Sequence, residues 1–424
     1  MREELLHYVW KFTKFQLNGL QTAKKQVLQL LDVGTQNKHS GPDFLNARIE
    51  IDKQLWAGNI EIHVKSSDWY AHKHSMDRSY DNVILHVVWE LDKPVFRPTG
   101  EEIPTLVLRN YVAESLLDSY VRLMSETNRK FINCEDCASE FSVFLLLPWL
   151  EHIFRERLEQ KSRELDDILS ASANDWEKLL FIALLKNFGQ RANRTSFLSL
   201  AKAIDFNIVK RIKNNAVRLE SLLFGLSGLL EKYPETDPYH SLLASEYNYL
   251  KKKHKLNELQ VEMPEFMGVR PLNFPTIRLS QFAALYSNHQ NLFSRLIALK
   301  KPDEFYEFFS IQSSGYWKTH YNFGKTSKEK SGGLSRAFKD MLIINCVVPL
   351  KFLYARDRGE DIYQELRNLI SQLSKENNNV VYHYQSLGFP ARHALDSQAL
   401  LHLHDSYCRK NRCLECALGN QILK

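Results

Sequence analysis

No stretch of this 424-residue chain is long and apolar enough to suggest a membrane span. The longest apolar run, Phe141 to Leu150, is broken by Ser142 and Pro148 and falls well short of the roughly 20 residues a bilayer requires. The N-terminus, Met1-Arg2-Glu3-Glu4, has no apolar signal core behind a basic flank. The expectation is a cytoplasmic protein with no membrane partner. A dominant charge is also missing: 56 Lys and Arg against 50 Asp and Glu leave a net +6, which permits nucleic-acid binding without demanding it. Cysteine is scarce at six residues, and in a cytosolic chain these are better read as metal ligands or buried apolar residues than as a disulfide framework. Neither a Gly-x-Ser-x-Gly elbow nor a Gly-x-Gly-x-x-Gly fingerprint occurs. Gly324-Lys325-Thr326 resembles the end of a phosphate loop, but Thr319 stands where the opening glycine belongs. A nucleotide cofactor is therefore not expected.

What is present is ordinary for a globular protein: 44% apolar and 25% charged residues, in a chain long enough for at least two cores. Residues 3–16 have helical periodicity through Leu5, Leu6, Val9, Trp10 and Phe12. Strand-like runs follow at Gln26–Leu31, Ala47–Ile51, Gly58–Lys65 and Val83–Glu90, the second and third with polar–apolar alternation. Beyond residue 112 the pattern is helical. Leu150, Phe154, Leu158, Leu165 and Ile168 form one stripe, and Asn174 is the expected cap of a helix over Asp175–Asn187 that stops at Gly189. Further helices are expected at 196–204, 216–231, 241–254, 278–299, 334–345, 360–375 and 393–404, with breaks at Pro234/Pro238, Met263–Pro275 and Lys325–Gly333. The fold class is α+β, an α/β domain over 1–112 followed by a mainly helical region over 113–424.

The densest chemistry lies between His39 and His86: Gly41-Pro42-Asp43, Glu61-Ile62-His63-Val64-Lys65, then Asp68, His72, His74, Asp77 and His86. On a strand, residues 61, 63 and 65 share a face. A carboxylate, an imidazole and an ammonium there suit a divalent cation beside a phosphate better than they suit a core. This arrangement resembles the PD-(D/E)xK superfamily of restriction-endonuclease-like nucleases. The resemblance implies an N-terminal nuclease domain with Asp43 and Glu61 holding Mg²⁺ or Mn²⁺, and Lys65 or His63 in the role of the superfamily lysine. The third position departs from the pattern, since His63 stands where lysine is usual. Glu4 is the candidate for a further acid from the first helix. The implied function is a divalent-metal-dependent nuclease acting on DNA or RNA. The alternatives are a non-catalytic nucleic-acid-binding scaffold on an inactivated nuclease fold, and a metal-dependent hydrolase using His63, His72, His74 and Asp77. The wider pattern, Gly-Pro-Asp-Phe-x-x-Ala through Asp-x-x-Tyr-x-x-Val-Ile-Leu-His-Val-Val, is also similar to a bacterial family of unknown function, over the full length.

Cys408-x4-Cys413-x2-Cys416 is a sharp metal signal, because closely spaced thiols can wrap one face of an ion or cluster. Cys134-x2-Cys137 could donate a fourth thiolate, with His404 as the local competitor, for zinc or an iron–sulfur cluster. Cys346, within Ile343–Val348, reads as an apolar core residue. Lys251-Lys252-Lys253-His254-Lys255 could contact phosphates, though a helix end accounts for it equally well. Gln190–Arg194 and Arg270–Pro275, with Arg278, are donor-rich loops expected at helix starts.

Overall fold

A computed structural model of the chain describes residues 2–124, 130–232, 237–256 and 261–424. The chain forms two compact units. The first comprises Met1–Trp149, Ser386–Phe389 and Leu403–Lys424, and the second Leu150–Gln385 and Pro390–His402. The first unit thus continues past residue 112 and takes in the C-terminal cysteines. The class is mixed α+β.

In the first unit, helix α1 (Glu3–Lys11) precedes β1 (Leu28–Asp32), β2 (Thr35–Gln36), β3 (Phe44–Ile51) and β4 (Gln54–Lys65). The short helix α2 (Asp68–Ala71), two 3-10 turns, β5 (Val83–Glu90) and β6 (Thr105–Val107) follow. The sheet order is β1-β3-β4-β5-β6, with β2 beside β1 along β3. The pairings β1/β3 and β3/β4 are antiparallel, whereas β4/β5 and β5/β6 are parallel. Alternation along β4 decides its two faces. Ile60, Ile62 and Val64 join Leu5, Leu6, Val9 and Trp10 of α1 in one apolar core. Glu61 and His63 project from the other face, where Trp69, Tyr80, Val83, Val95 and Ile103 form a smaller cluster. Two carboxylate- or imidazole-bearing residues are therefore buried by strand geometry, not by their own preference for burial.

The second unit is helical. Helices Trp176–Phe188 and Pro275–Asn288 are buried nearly all round, as central helices are. Asp175, not Asn174, caps the former, accepting the Lys178 N–H, while Gly189 follows its end as expected. The 216–231 stretch is two helices, Ala216–Leu226 and Leu229–Lys232, interrupted at Gly228, whose φ is +72°. The 278–299 stretch likewise breaks near Asn291 at φ +51°. Pro238 opens helix Pro238–His254; Pro234 lies outside the described residues. Helix Val143–Ala171 begins before the expected stripe and runs through Pro148. Cys346 is fully buried in the π-turn Ile343–Val347.

The other sequence features of this unit have structural roles. Gly324 turns a two-stranded hairpin, His320–Asn322 with Lys325–Thr326. The Lys251–Lys255 run ends its helix, where cations suit the macrodipole. Arg278 is buried over the Phe338 ring and donates to Gln281 and Asn273. The Asn193 side chain exchanges hydrogen bonds with the Glu265 backbone. Among the described residues no helix is long and apolar enough to cross a membrane.

Candidate metal centre

Asp43 reaches the sheet from a loop shaped by Gly41 at φ +102° and by Asn37, whose amide side chain donates to the carbonyls of Ser40 and Pro42. Two reciprocal hydrogen bonds then lock it to β4. The Asp43 N–H donates to Glu61 Oε2 at 3.1 Å, and the Ile62 N–H donates to Asp43 Oδ2 at 2.9 Å. The two carboxylates are adjacent by backbone geometry, so their repulsion is built into the fold.

Helix α1 supplies two residues that sequence reasoning missed. Glu3 and His7, one turn apart, bring their ligand atoms and that of Asp43 within 4.8 Å of one another. His7 Nε2 lies 3.2 Å from Asp43 Oδ2. The available signal was the i, i+4 Glu–His pair on the face opposite Leu5 and Val9. Glu4, the residue expected there, instead lines a neighbouring groove.

A second group forms on the other side of Glu61. The ring nitrogens of His63, His72 and His74 also lie within 4.8 Å of one another. Lys73, at φ +61°, ends α2 in the left-handed conformation and turns the chain between the two latter histidines. His74 stacks on Tyr80 at 3.8 Å, and Trp69 meets its edge. Glu61 Oε1 is 3.2 Å from His74 Nε2 and 3.5 Å from His63 Nε2. Glu61 therefore touches both groups, one oxygen to each side. His63 is 1% exposed, its Nδ1 2.9 Å from His86 Nε2 and its Nε2 3.1 Å from His72 Nδ1.

The electrostatics follow from burial. Desolvation raises the Glu61 carboxyl well above the usual carboxylate range, and the Asp43 charge adds to this. Burial, then the neighbouring His86 and His74, lower His63 to about 2; burial, then His74, lower His86 to about 3. Both imidazoles are neutral, with lone pairs available. Burial depresses His7, but Asp43, Glu3 and Glu4 outweigh it and its pKa is raised.

This donor set fits a divalent cation. His7 Nε2 and His74 Nε2 are buried without a hydrogen-bond partner among the described residues, although each lies 3.2 Å from a carboxylate oxygen. Buried nitrogens and carboxylates in contact, but out of line for hydrogen bonding, are what a shared cation would satisfy.

The other sequence candidates lie apart from these groups. Lys65 is exposed at the end of β4, its N–H donating to Asp68 Oδ2. Asp77 caps the turn Arg78–Tyr80 through Ser79. His39 is exposed on the loop before Asp43.

Beside His7 runs a groove lined by Lys11, Lys38, Lys410 and Arg412, with Glu4 and Glu415 also on it. Its far wall is the C-terminal segment. There Asn133 Nδ2 approaches Cys413 Sγ at 3.5 Å and Asn411 Oδ1 at 3.1 Å, and Phe131 stacks on His404 at 4.7 Å. Cys134 and Cys413 pack against the same apolar core. Cys137 sits on the turn Glu135–Glu140.

Neither the curated proteins nor the solved structures include a match to this chain. Residues 3–379 match the family described as Protein of unknown function (DUF2851), and the chain belongs to that family.

Proposed function

We propose that this protein is a divalent-metal-dependent nuclease whose centre is built around Glu61 of β4 and Asp43 just before β3. The observation that carries the reading is the bridging position of Glu61, between Glu3–His7–Asp43 on one side and His63–His72–His74 on the other. The element order supports it: helix, antiparallel strands, short helix, parallel strand, with Asp43 immediately before β3 and Glu61 on the neighbouring β4. That is the arrangement expected of a restriction-endonuclease-like core, and the resemblance rests on it together with Pro42-Asp43 and Glu61-x-His63.

A bound cation would polarise the phosphoryl oxygen and lower the pKa of a coordinated water. The protein's part is to hold the ligands. Asp43 and Glu61 supply negative charge, the neutral His63 supplies a lone pair, and His86 fixes the His63 ring from behind. His7, beside Asp43 at the edge of the groove, is placed to supply a further nitrogen ligand. Imidazole-rich sites favour Mn²⁺ or a later transition metal over Mg²⁺. The basic groove beside His7 is the expected path for a phosphate backbone.

A second reading, a non-catalytic nucleic-acid scaffold, draws on His63: a buried neutral imidazole cannot supply the superfamily lysine's charge. One assay decides between them. Single- and double-stranded DNA and RNA are incubated with Mn²⁺, Mg²⁺ or EDTA, using wild type and D43A. Metal-dependent cleavage by wild type alone is expected. Equal cleavage by a D43A/E61A double variant would overturn the nuclease assignment, and binding without cleavage by wild type would favour the scaffold.

A further inference from the structure

The C-terminal segment carries chemistry that the centre at Glu61 does not use. Cys408, Cys413 and Cys416 return to the first unit more than 270 residues after Cys134, and Asn133, adjacent to Cys134, donates to Cys413 Sγ and to Asn411 across a separation of 278 to 280 residues. Cys134 and Cys413 pack against the same apolar core; Cys408 opens the short turn before Cys413, and Cys416 ends the turn that Cys413 begins.

The local backbone is shaped around these sulfurs. Cys413 and Cys416 bracket a 3-10 turn, with the Cys416 N–H donating to the Cys413 carbonyl at 3.2 Å. The chain then passes so close that a Cβ on Gly419 would sit 2.0 Å from the Cys413 carbonyl oxygen, so only glycine fits there. Cys416 is 6% exposed, and the Asn133 side-chain amide donates to Cys413 Sγ at 3.5 Å. N–H donors aimed at sulfur gain little from a neutral thiol and stabilise a thiolate, as around metal–sulfur centres. Cysteines brought to one apolar core from residue 134 and from the C-terminal segment, with a donor on sulfur and no disulfide between them, are poorly explained as apolar filling.

We infer that Cys134, Cys408, Cys413 and Cys416 form a four-thiolate metal centre that fastens the C-terminal segment to the sheet unit. The centre lies apart from the ligands around Glu61 and its role is structural. By fixing residues 408–416 it holds Lys410 and Arg412 on the wall of the groove beside His7. Cys134 is the upstream ligand in preference to Cys137, because it packs on the same core as Cys413 and its neighbour Asn133 reaches Cys413 Sγ.

The test is metal analysis of the full-length protein purified without oxygen, for zinc, iron and acid-labile sulfide, in wild type, C134S, C137S, C413S and E61Q. Wild type, C137S and E61Q are expected to retain the thiolate-bound metal, and C134S and C413S to lose it. Iron with sulfide and visible absorption identifies a cluster. Zinc that is replaceable by cobalt, with sulfur-to-metal charge-transfer bands, identifies a single ion. In parallel, alkylation of native wild type followed by mass spectrometry is expected to modify Cys137 and to spare the four ligands until metal is stripped. This readout does not depend on variants that fold poorly. Wild type free of these metals, immediate alkylation of Cys408 and Cys413, or loss of metal in C137S with retention in C134S would overturn the inference. Because E61Q keeps the sulfur-bound metal in this scheme, failure here is distinguishable from failure of the nuclease reading.

Discussion

Glu61 in the sheet unit and Glu220 among the helices are buried to a similar depth, 4% and 2% exposed, yet their surroundings are opposite in kind. Glu220 Oε1 accepts from Trp317 Nε1 at 2.6 Å and from Tyr239 Oη at 2.8 Å, and Oε2 accepts from Ser280 Oγ at 2.9 Å. Every neighbour is a donor. Around Glu61 the one backbone donor is the Asp43 N–H, and the other neighbours are the imidazoles of His63 and His74, each with one N–H and one lone pair when neutral, and a second carboxylate. Burial raises the pKa of both groups, so desolvation alone does not separate a functional carboxylate from a structural one. The identity of the partners does. A buried acid ringed by donors completes a core, and one set among imidazoles and a second carboxylate has the ligand types a cation takes.

The largest expected effect breaks the comparison at Glu61. E61Q keeps the shape and removes the charge, so it should cut cleavage about a thousandfold, equivalent to ~4 kcal/mol of transition-state stabilisation, while E220Q leaves cleavage unchanged. Thermal unfolding with Mn²⁺ supplies the binding half. Wild type and E220Q should gain about 2.7 kcal/mol at a hundredfold excess over Kd, and E61Q much less. Equal Mn²⁺ stabilisation of E61Q and wild type would remove Glu61 from the metal site.

Stability effects at Glu220 come next. E220L leaves the Trp317 indole N–H buried without its acceptor, at roughly 1–3 kcal/mol, measurable by urea unfolding, while Tyr239 keeps Ser314 Oγ as a partner. E220Q is milder, because its carbonyl can accept from Trp317 and Tyr239 while the Ser280 hydroxyl turns to accept from its amide. The pH dependence has a definite sign. The folded protein keeps the Glu220 proton to higher pH than the unfolded chain, since burial raises its pKa. Its contribution is therefore complete below the ordinary carboxylate pKa of about 4.3 and is lost as pH rises toward the folded value. Wild type should accordingly lose stability relative to E220Q as pH climbs above about 4.3. Parallel curves would mean that folding leaves the Glu220 pKa unchanged.

The sheet unit was more legible in sequence than the helical one because period-2 alternation ties residue type directly to a face. Glu61 and His63 between Ile60, Ile62 and Val64 announce a polar side opposite an apolar core. Pro42-Asp43 and the His72-x-His74 pair could be named from order alone. What order could not give was contact across elements. His7 reaches Asp43 through the packing of α1 on the sheet, and Asp77 spends its oxygens on Ser79, not on the histidines. The cysteine spacing raised the expectation of a metal site, but only the folded chain packs Cys134 on one core with Cys413, 279 positions later. Among the helices, similar periodicities ran through breaks at Gly228 and Asn291, where one left-handed residue ends a helix without disturbing the apolar pattern.

The smallest expected effect sharpens the comparison within β4 itself. Strand alternation places Glu61, His63 and Lys65 on one face, but burial falls away along it: Glu61 and His63 are enclosed and Lys65 is exposed. An exposed ammonium at the end of a strand is solvated, and the charge it could lend to a reacting phosphate is screened. K65A should therefore change cleavage by less than about tenfold, ~1.4 kcal/mol, and slightly flatten the salt dependence of binding if Lys65 touches backbone phosphates. H63A should cost far more, because it removes a ligand and leaves His86 Nε2 and His72 Nδ1 without the ring that now lies between them. H63K is the informative third member of the series. If position 63 serves as the superfamily lysine does, H63K retains or raises Mg²⁺-supported cleavage. If His63 is a metal ligand, a buried ammonium beside His72, His74 and His86 repels the cation, and both metal affinity and cleavage fall below those of H63A.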